Sequence, residues 1–188
     1  KGCELEAMRA KQGHILKIVL AINAVMFFVE MGAGLMAHSN ALKADSLDML
    51  GDAMVYGFSL YVLAKSDIWK ARAAFIKGAL MGAFGVAVLV ETVMKLIYPT
   101  LPHSSTMGSI GLLVLVANTA CLVLLTRHKD DDINMKSVWL CSRNDIIANT
   151  GVLIAAGMVY LTQTFWPDVI VGAVIALLFL QSATQVIK

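Results

Sequence analysis

The chain has 188 residues, of which 59% are hydrophobic and 15% charged, with a formal net charge of +2 and a mean hydropathy of +0.76. Soluble domains carry roughly 25% charged residues, so this composition excludes an ordinary soluble domain, and so small a net charge does not point to nucleic acid as a partner. The three cysteines, Cys3, Cys121 and Cys141, form no even or regularly spaced framework, which argues against a disulfide scaffold.

In chain order, residues 1–12 are polar and of mixed charge, and the apolar run after them is too long for a signal-peptide core. Six apolar segments follow, at 15–36, 42–64, 73–97, 107–125, 138–161 and 166–187. Each is near the ~20 residues that cross a ~30 Å hydrocarbon layer as a helix. None alternates with the period of two that a membrane barrel needs. The expected fold is therefore all-α: a polytopic membrane protein with six transmembrane helices in a single domain over 1–188. Pro99 and Pro102 punctuate the third connection, Pro167 sits at the start of the last helix, and Ser39-Asn40 can cap the second.

Basic residues set the expected orientation. Lys1, Arg9, Lys11 and Lys17 precede or open the first segment, Lys65, Lys70, Arg72 and Lys77 follow the second, Arg127, Lys129 and Lys136 follow the fourth, and Lys188 ends the chain. The other side has only Lys43 and Lys95. The positive-inside rule then makes both termini cytoplasmic, consistent with an even number of crossings.

Two polar interruptions carry the chemistry: Asp48-Met49-Leu50-Gly51-Asp52 in the second segment and Cys141-Ser142-Arg143-Asn144-Asp145 in the fifth. Four residues advance about 400° around a helix, so Asp48 and Asp52 share one face, as do Cys141 and Asp145. The second helix runs inward, placing its aspartates about 9 and 15 Å from Leu42, and the fifth runs outward. Antiparallel packing can then set Asp52 opposite Cys141 and Asp48 opposite Asp145. Acids at membrane depth are costly and usually functional, so the expectation is a transmembrane divalent-metal site of Asp48, Asp52, Cys141 and Asp145. Thiolate and carboxylate in a tetrahedron suit Zn²⁺, and sulfur favours Cd²⁺ relative to an all-oxygen site; Co²⁺, Ni²⁺, Fe²⁺ and Mn²⁺ remain open. The bland alternatives are scattered helix-helix hydrogen-bonding groups and a Cys141 that only packs. Clustered carboxylates in a poorly hydrated place should keep protons until metal displaces them, and Cys141 should lose its own on coordination. Metal and protons thereby compete for the same atoms.

With these motifs the chain resembles the cation diffusion facilitator family of divalent-metal transporters. Asn23 and Glu30 in the first helix, Ala44-Asp45-Ser46-Leu47 before the ligands, Asn118 in the fourth and Trp166-Pro167-Asp168 opening the sixth are also similar to that family's pattern. The resemblance implies efflux of cytosolic Zn²⁺, or a neighbouring divalent ion, in exchange for protons, usually by a homodimer in the lipid bilayer. A bacterial inner membrane is the expected location, with metal as transported substrate and no organic cofactor. The chain departs from the pattern in placing Cys141 where many members have histidine or aspartate, and in the expected absence of a cytoplasmic C-terminal domain after Lys188.

Other polar residues carry two readings each. Asp45, three positions before Asp48, can belong to the outward path or to a cap. Asn149, one turn beyond Asp145, can orient a ligand or bond another helix. Glu30 and Asn118 are candidates for the ion path or for supporting the ligands; otherwise Glu30, like Glu91, is expected to pair structurally and Asn118 to bond between helices. Arg143 points away from the ligand face and should snorkel or pair with an acid. The small residues Gly78, Gly82 and Gly85 permit close helix approach. The acidic run Asp130-Asp131-Asp132 beside His128 can concentrate dications or be a solvated loop. A passive divalent-cation channel is the main rival function. An intramembrane aspartyl protease is a weaker one, resting only on two acids and Leu50-Gly51-Asp52.

Overall fold

Backbone groups with no water to bond must bond each other, so long apolar sequence closes into helices. The computed structural model describes residues 2–62, 67–129 and 133–187. Among them run six helices: α1 (Gly2–Met36), α2 (Asn40–Val62), α3 (Asp67–Ile97), α4 (Ser104–Thr126), α5 (Ile133–Thr162) and α6 (Trp166–Ile187). α1, α3 and α5 start before the apolar segments that predicted them. Glu4, Glu6, Ala7, Met8, Arg9, Ala10 and Lys11 are good helix formers, so the helix outlasts its apolar part.

Five of the helices contain stretches long and apolar enough to cross a membrane: Gly13–Met36, Gly78–Ile97, Ser104–Thr126, Val138–Thr162 and Trp166–Thr184. α2 is not among them, and it carries Lys43, Asp45, Asp48 and Asp52. Packing explains how so polar a helix is tolerated, because α2 touches α1, α3, α5 and α6 and is largely withdrawn from the bundle surface. The most extensive contacts pair α1 with α2, α3 with α6 and α4 with α5. Burial is inverted relative to a soluble protein. Glu30, Asp45, Asp52, Asn118, Asn149 and Asp168 are buried, while Phe28 (73% exposed), Val116 (61%), Ile147 (68%) and Leu161 (79%) stand outside. Such a surface suits hydrocarbon, not water. The chain is a multi-pass membrane protein.

The small-residue stripe of α3 serves packing within the chain. A Cβ on Gly85 would meet Leu180 Cγ at 2.9 Å and the Ala176 carbonyl oxygen at 3.1 Å, and one on Gly82 would meet Ala183 at 3.6 Å. Gly85 therefore lets α3 lie directly on α6.

At one end of the bundle the short connections are bonded together. α1 ends with His38 in the left-handed region at φ 52°, the Ser39 amide donating to Gly34 O at 3.0 Å and the His38 amide to Leu35 O at 3.3 Å. This is the Schellman pattern, usually built on glycine. Ser39 caps α2 as predicted, its Oγ accepting the Leu42 amide at 3.1 Å. The α3–α4 connection joins here through the His103 amide, which donates to Ala37 O at 3.0 Å.

A buried carboxylate completes this end. Asp168 Oδ1 accepts from Ser39 Oγ at 2.6 Å and from the Ala41 amide at 3.0 Å. Its Oδ2 accepts from the Asn40 amide at 2.8 Å and from Lys95 Nζ at 2.7 Å. Lys95 also donates to His38 O. One acid on α6 thus neutralises a lysine of α3 and satisfies amide groups that the first turn of α2 leaves free.

Candidate metal-binding cavity

Asp48, Asp52, Cys141 and Asp145 line a single cavity of about 220 Å³. α2 supplies the first two and α5 the others, so all four side chains reach one space; the carboxyl that Asp145 faces is Asp52, whereas the sequence spacing set Asp48 opposite it. Asp52 is buried at 4% exposure; Asp48, Cys141 and Asp145 are half-buried. The Asp145 carboxyl faces that of Asp52 within hydrogen-bonding range, and Asp48 and Cys141 act on it through space. Two carboxyls can bond each other only through a proton, because an ionised carboxylate has acceptors and no donor. Among the described residues no three His, Cys, Asp or Glu side chains are gathered closely enough to hold a metal ion in this conformation. The four line the space without closing on its centre.

α3 and α6 form the remaining wall, with Met81, Phe179 and Ser182 on it, and Asn144 joins from α5. Gly51 makes room for Met81: a Cβ there would meet Met81 Cε at 2.5 Å and Sδ at 3.3 Å. One glycine between the two aspartates therefore lets a thioether lie against α2 at the cavity.

Tyr56 is a residue that sequence reasoning missed. Fully buried, it donates its phenol proton to Asp52 Oδ2 at 2.9 Å. Its signal was its place one turn beyond Asp52, on the face of Asp48 and Asp52. Asn144 and Ser182 were missed as lining groups as well.

The secondary candidates lie elsewhere. Glu30, Asp45, Asn118 and Asn149 are buried, and none lines the cavity. Among the described residues neither side-chain polar atom of Asn149 finds a hydrogen-bond partner, while Asn23 Nδ2 donates to Val19 O at 2.9 Å and its Oδ1 accepts from none of them. Glu91 pairs with Lys43. Arg143 is turned outward, as expected, but packs over the Trp139 ring at 5.6 Å, with Lys129 at 5.3 Å from the same ring. Asp130, Asp131 and Asp132 lie outside the described residues.

Residues 16–188 match the cation efflux transmembrane domain. The chain belongs to the cation efflux family. It is 26% identical over 174 residues to the metal cation efflux system protein CzcD of Cupriavidus metallidurans, covering 86% of this chain and 55% of that protein. It is 26% identical over 187 residues to the zinc transporter ZitB of Yersinia pestis, covering 92% and 60%. Similarity extends to the cadmium, cobalt and zinc/H(+)-K(+) antiporter of Bacillus subtilis, 23% identical over 190 residues, covering 92% and 61%. The chain thus spans a little over half the length of these curated relatives. Cation efflux proteins are transporters, not enzymes, which leaves the protease alternative without support.

Proposed function

We propose that this chain moves a divalent metal cation, Zn²⁺ foremost, across the membrane in exchange for protons, binding it between Asp48, Asp52, Cys141 and Asp145. The observation that carries this reading is the shared cavity: three acids and a thiol from two helices line one space inside a membrane bundle. Three carboxylates and a thiolate suit Zn²⁺, with ligand distances of roughly 2.0–2.3 Å once the walls close. Co²⁺, Ni²⁺, Fe²⁺ and Mn²⁺ are weaker candidates, and the sulfur brings Cd²⁺ into range. The relatives named for zinc and for cadmium, cobalt and zinc support that set.

The exchange follows from the acids. A proton bridging Asp52 and Asp145 must leave before both carboxylates can ligate a dication, and it returns when the ion departs. Alternating access would let the two events occur on opposite sides. Efflux requires the metal to be taken up from the cytoplasm, which both termini share under the positive-inside rule. A second copy of the chain is the proposed partner, on the family resemblance.

The test is flux into proteoliposomes. Zn²⁺ uptake should accelerate when an imposed pH gradient drives protons the other way, with a matching proton flux, and Asp52→Ala and Asp145→Ala should each abolish both. Uptake indifferent to the gradient would favour the passive channel, and uptake surviving both substitutions would remove the cavity from the mechanism.

A further inference from the structure

Glu30 of α1 and Asp45 of α2 stand as a pair of buried acids outside the metal cavity. Their exposures are 0% and 2%, and the two carboxyls face each other within hydrogen-bonding range. Among the described residues no protein donor reaches Glu30 Oε1, Glu30 Oε2 or Asp45 Oδ2.

The basic groups nearby are committed elsewhere. Lys43, two residues before Asp45, pairs with Glu91 of α3, and Lys95 pairs with Asp168 of α6. α4, the other helix packed on α1, has no ionisable group in Ser104–Thr126 except Cys121. Among the described side chains of the helices packed against α2, Cys141 and Asp145 line the metal cavity, Arg143 lies over Trp139, Tyr160 is exposed, and His14 and Lys17 are exposed about 20 Å or more along α1 from Glu30. Asp48, one turn along α2, acts on Glu30 through space and adds further negative charge.

Two ionised carboxylates cannot remain in contact in a dry interior without a cation between them. With no basic partner among the described residues, a proton is the smallest cation that satisfies both, converting two acceptors into a donor and an acceptor. We infer that Glu30 and Asp45 form a second acid site, holding one exchangeable proton across the α1–α2 interface and releasing it when a dication fills the neighbouring cavity. The release half of this inference rests on the metal/proton exchange proposed above. A dication beside Asp48 stabilises the ionised pair one turn away; the shared O–H bond breaks, the proton passes to water, and two carboxylates remain. When the ion leaves, one proton returns. The pair thereby adds a proton to each cycle without touching the metal.

Infrared spectroscopy of the full chain in liposomes tests both halves. At neutral pH without metal, the spectrum should contain the carbonyl band of a protonated, buried carboxylic acid that shifts in D₂O and disappears in Glu30→Gln and in Asp45→Asn. Zn²⁺ should bleach that band, and the protons released per Zn²⁺ bound, read with a pH-indicator dye, should fall by about one in either variant while Zn²⁺ still binds. Asp145→Asn, which should lose metal binding, should retain the band. If Zn²⁺ fails to bind the parent chain, the metal cavity and the release step both fall, and the metal-free band still decides whether the pair holds a proton. Absence of an exchangeable band lost in either variant would overturn the acid site. An unchanged proton count would overturn its release, and loss of Zn²⁺ binding in a variant that keeps its helical circular dichroism would make the pair part of the metal site instead. Should one amide variant fail to fold, the other variant and the D₂O shift of the parent chain still give the answer.

Discussion

Asp52 is the most constrained of the four cavity groups, being buried at 4% exposure, bonded by Tyr56 at 2.9 Å and faced by Asp145. A donor that holds one carboxylate oxygen fixes which lone pairs remain for an ion, and outer-shell partners of this kind are commonly worth 10–100-fold in metal affinity. Tyr56→Phe removes only the hydroxyl and should weaken Zn²⁺ binding about 10-fold; titration calorimetry reads this, and unchanged affinity would reduce the contact to packing. Cys141 is half-buried on the cavity wall and supplies the site's soft atom. Cys141→Ser should reduce Cd²⁺ uptake more than Zn²⁺ uptake, because an oxygen replaces the sulfur that favours the softer ion. Equal losses for the two metals would make Cys141 a packing residue.

Among the helices, α2 concentrates both the polar residues and the contacts that shelter them. Its first turn is held by Asp168 through the Ala41 amide, the Asn40 amide and Ser39 Oγ, with Lys95 as counter-charge. Removing one partner of a buried ion pair leaves the other charged and unsatisfied, at a cost of about 3–5 kcal/mol. Asp168→Ala should therefore lower the melting temperature of the purified protein substantially, and a shift within error would show that the clamp contributes little. This clamp was hard to read in the sequence, because Lys95 and Asp168 are 73 positions apart and no short-range period links them. The cavity was far more legible: Asp48 with Asp52, and Cys141 with Asp145, each follow from a spacing of four on one helix. Met81 and Ser182 were not, since nothing in their own neighbourhoods shows which helix faces them. Helix order followed from apolar length, whereas helix starts did not, because residues such as Glu4 and Lys11 continue a helix that hydropathy alone would end.

The bundle as a whole places apolar side chains such as Phe28 and Leu161 outside, with Glu30, Asp45, Asp52 and Asp168 inside. In lipid the outward face gains nothing from hiding, so the interior is free to hold polar groups that serve a purpose. Among the described residues three acidic arrangements occupy that interior: the ion-paired Asp168 clamp, the Glu30–Asp45 pair and the cavity acids. Only the last, among the described residues, is joined by a thiol around an open space, which is why we propose that the transported ion binds there. The most direct test is an anomalous difference map at the zinc edge from crystals of this chain grown with Zn²⁺. A single dominant peak within ligand distance of Asp48, Asp52, Cys141 and Asp145 is predicted; a peak held by other residues, with this cavity empty, would contradict the account.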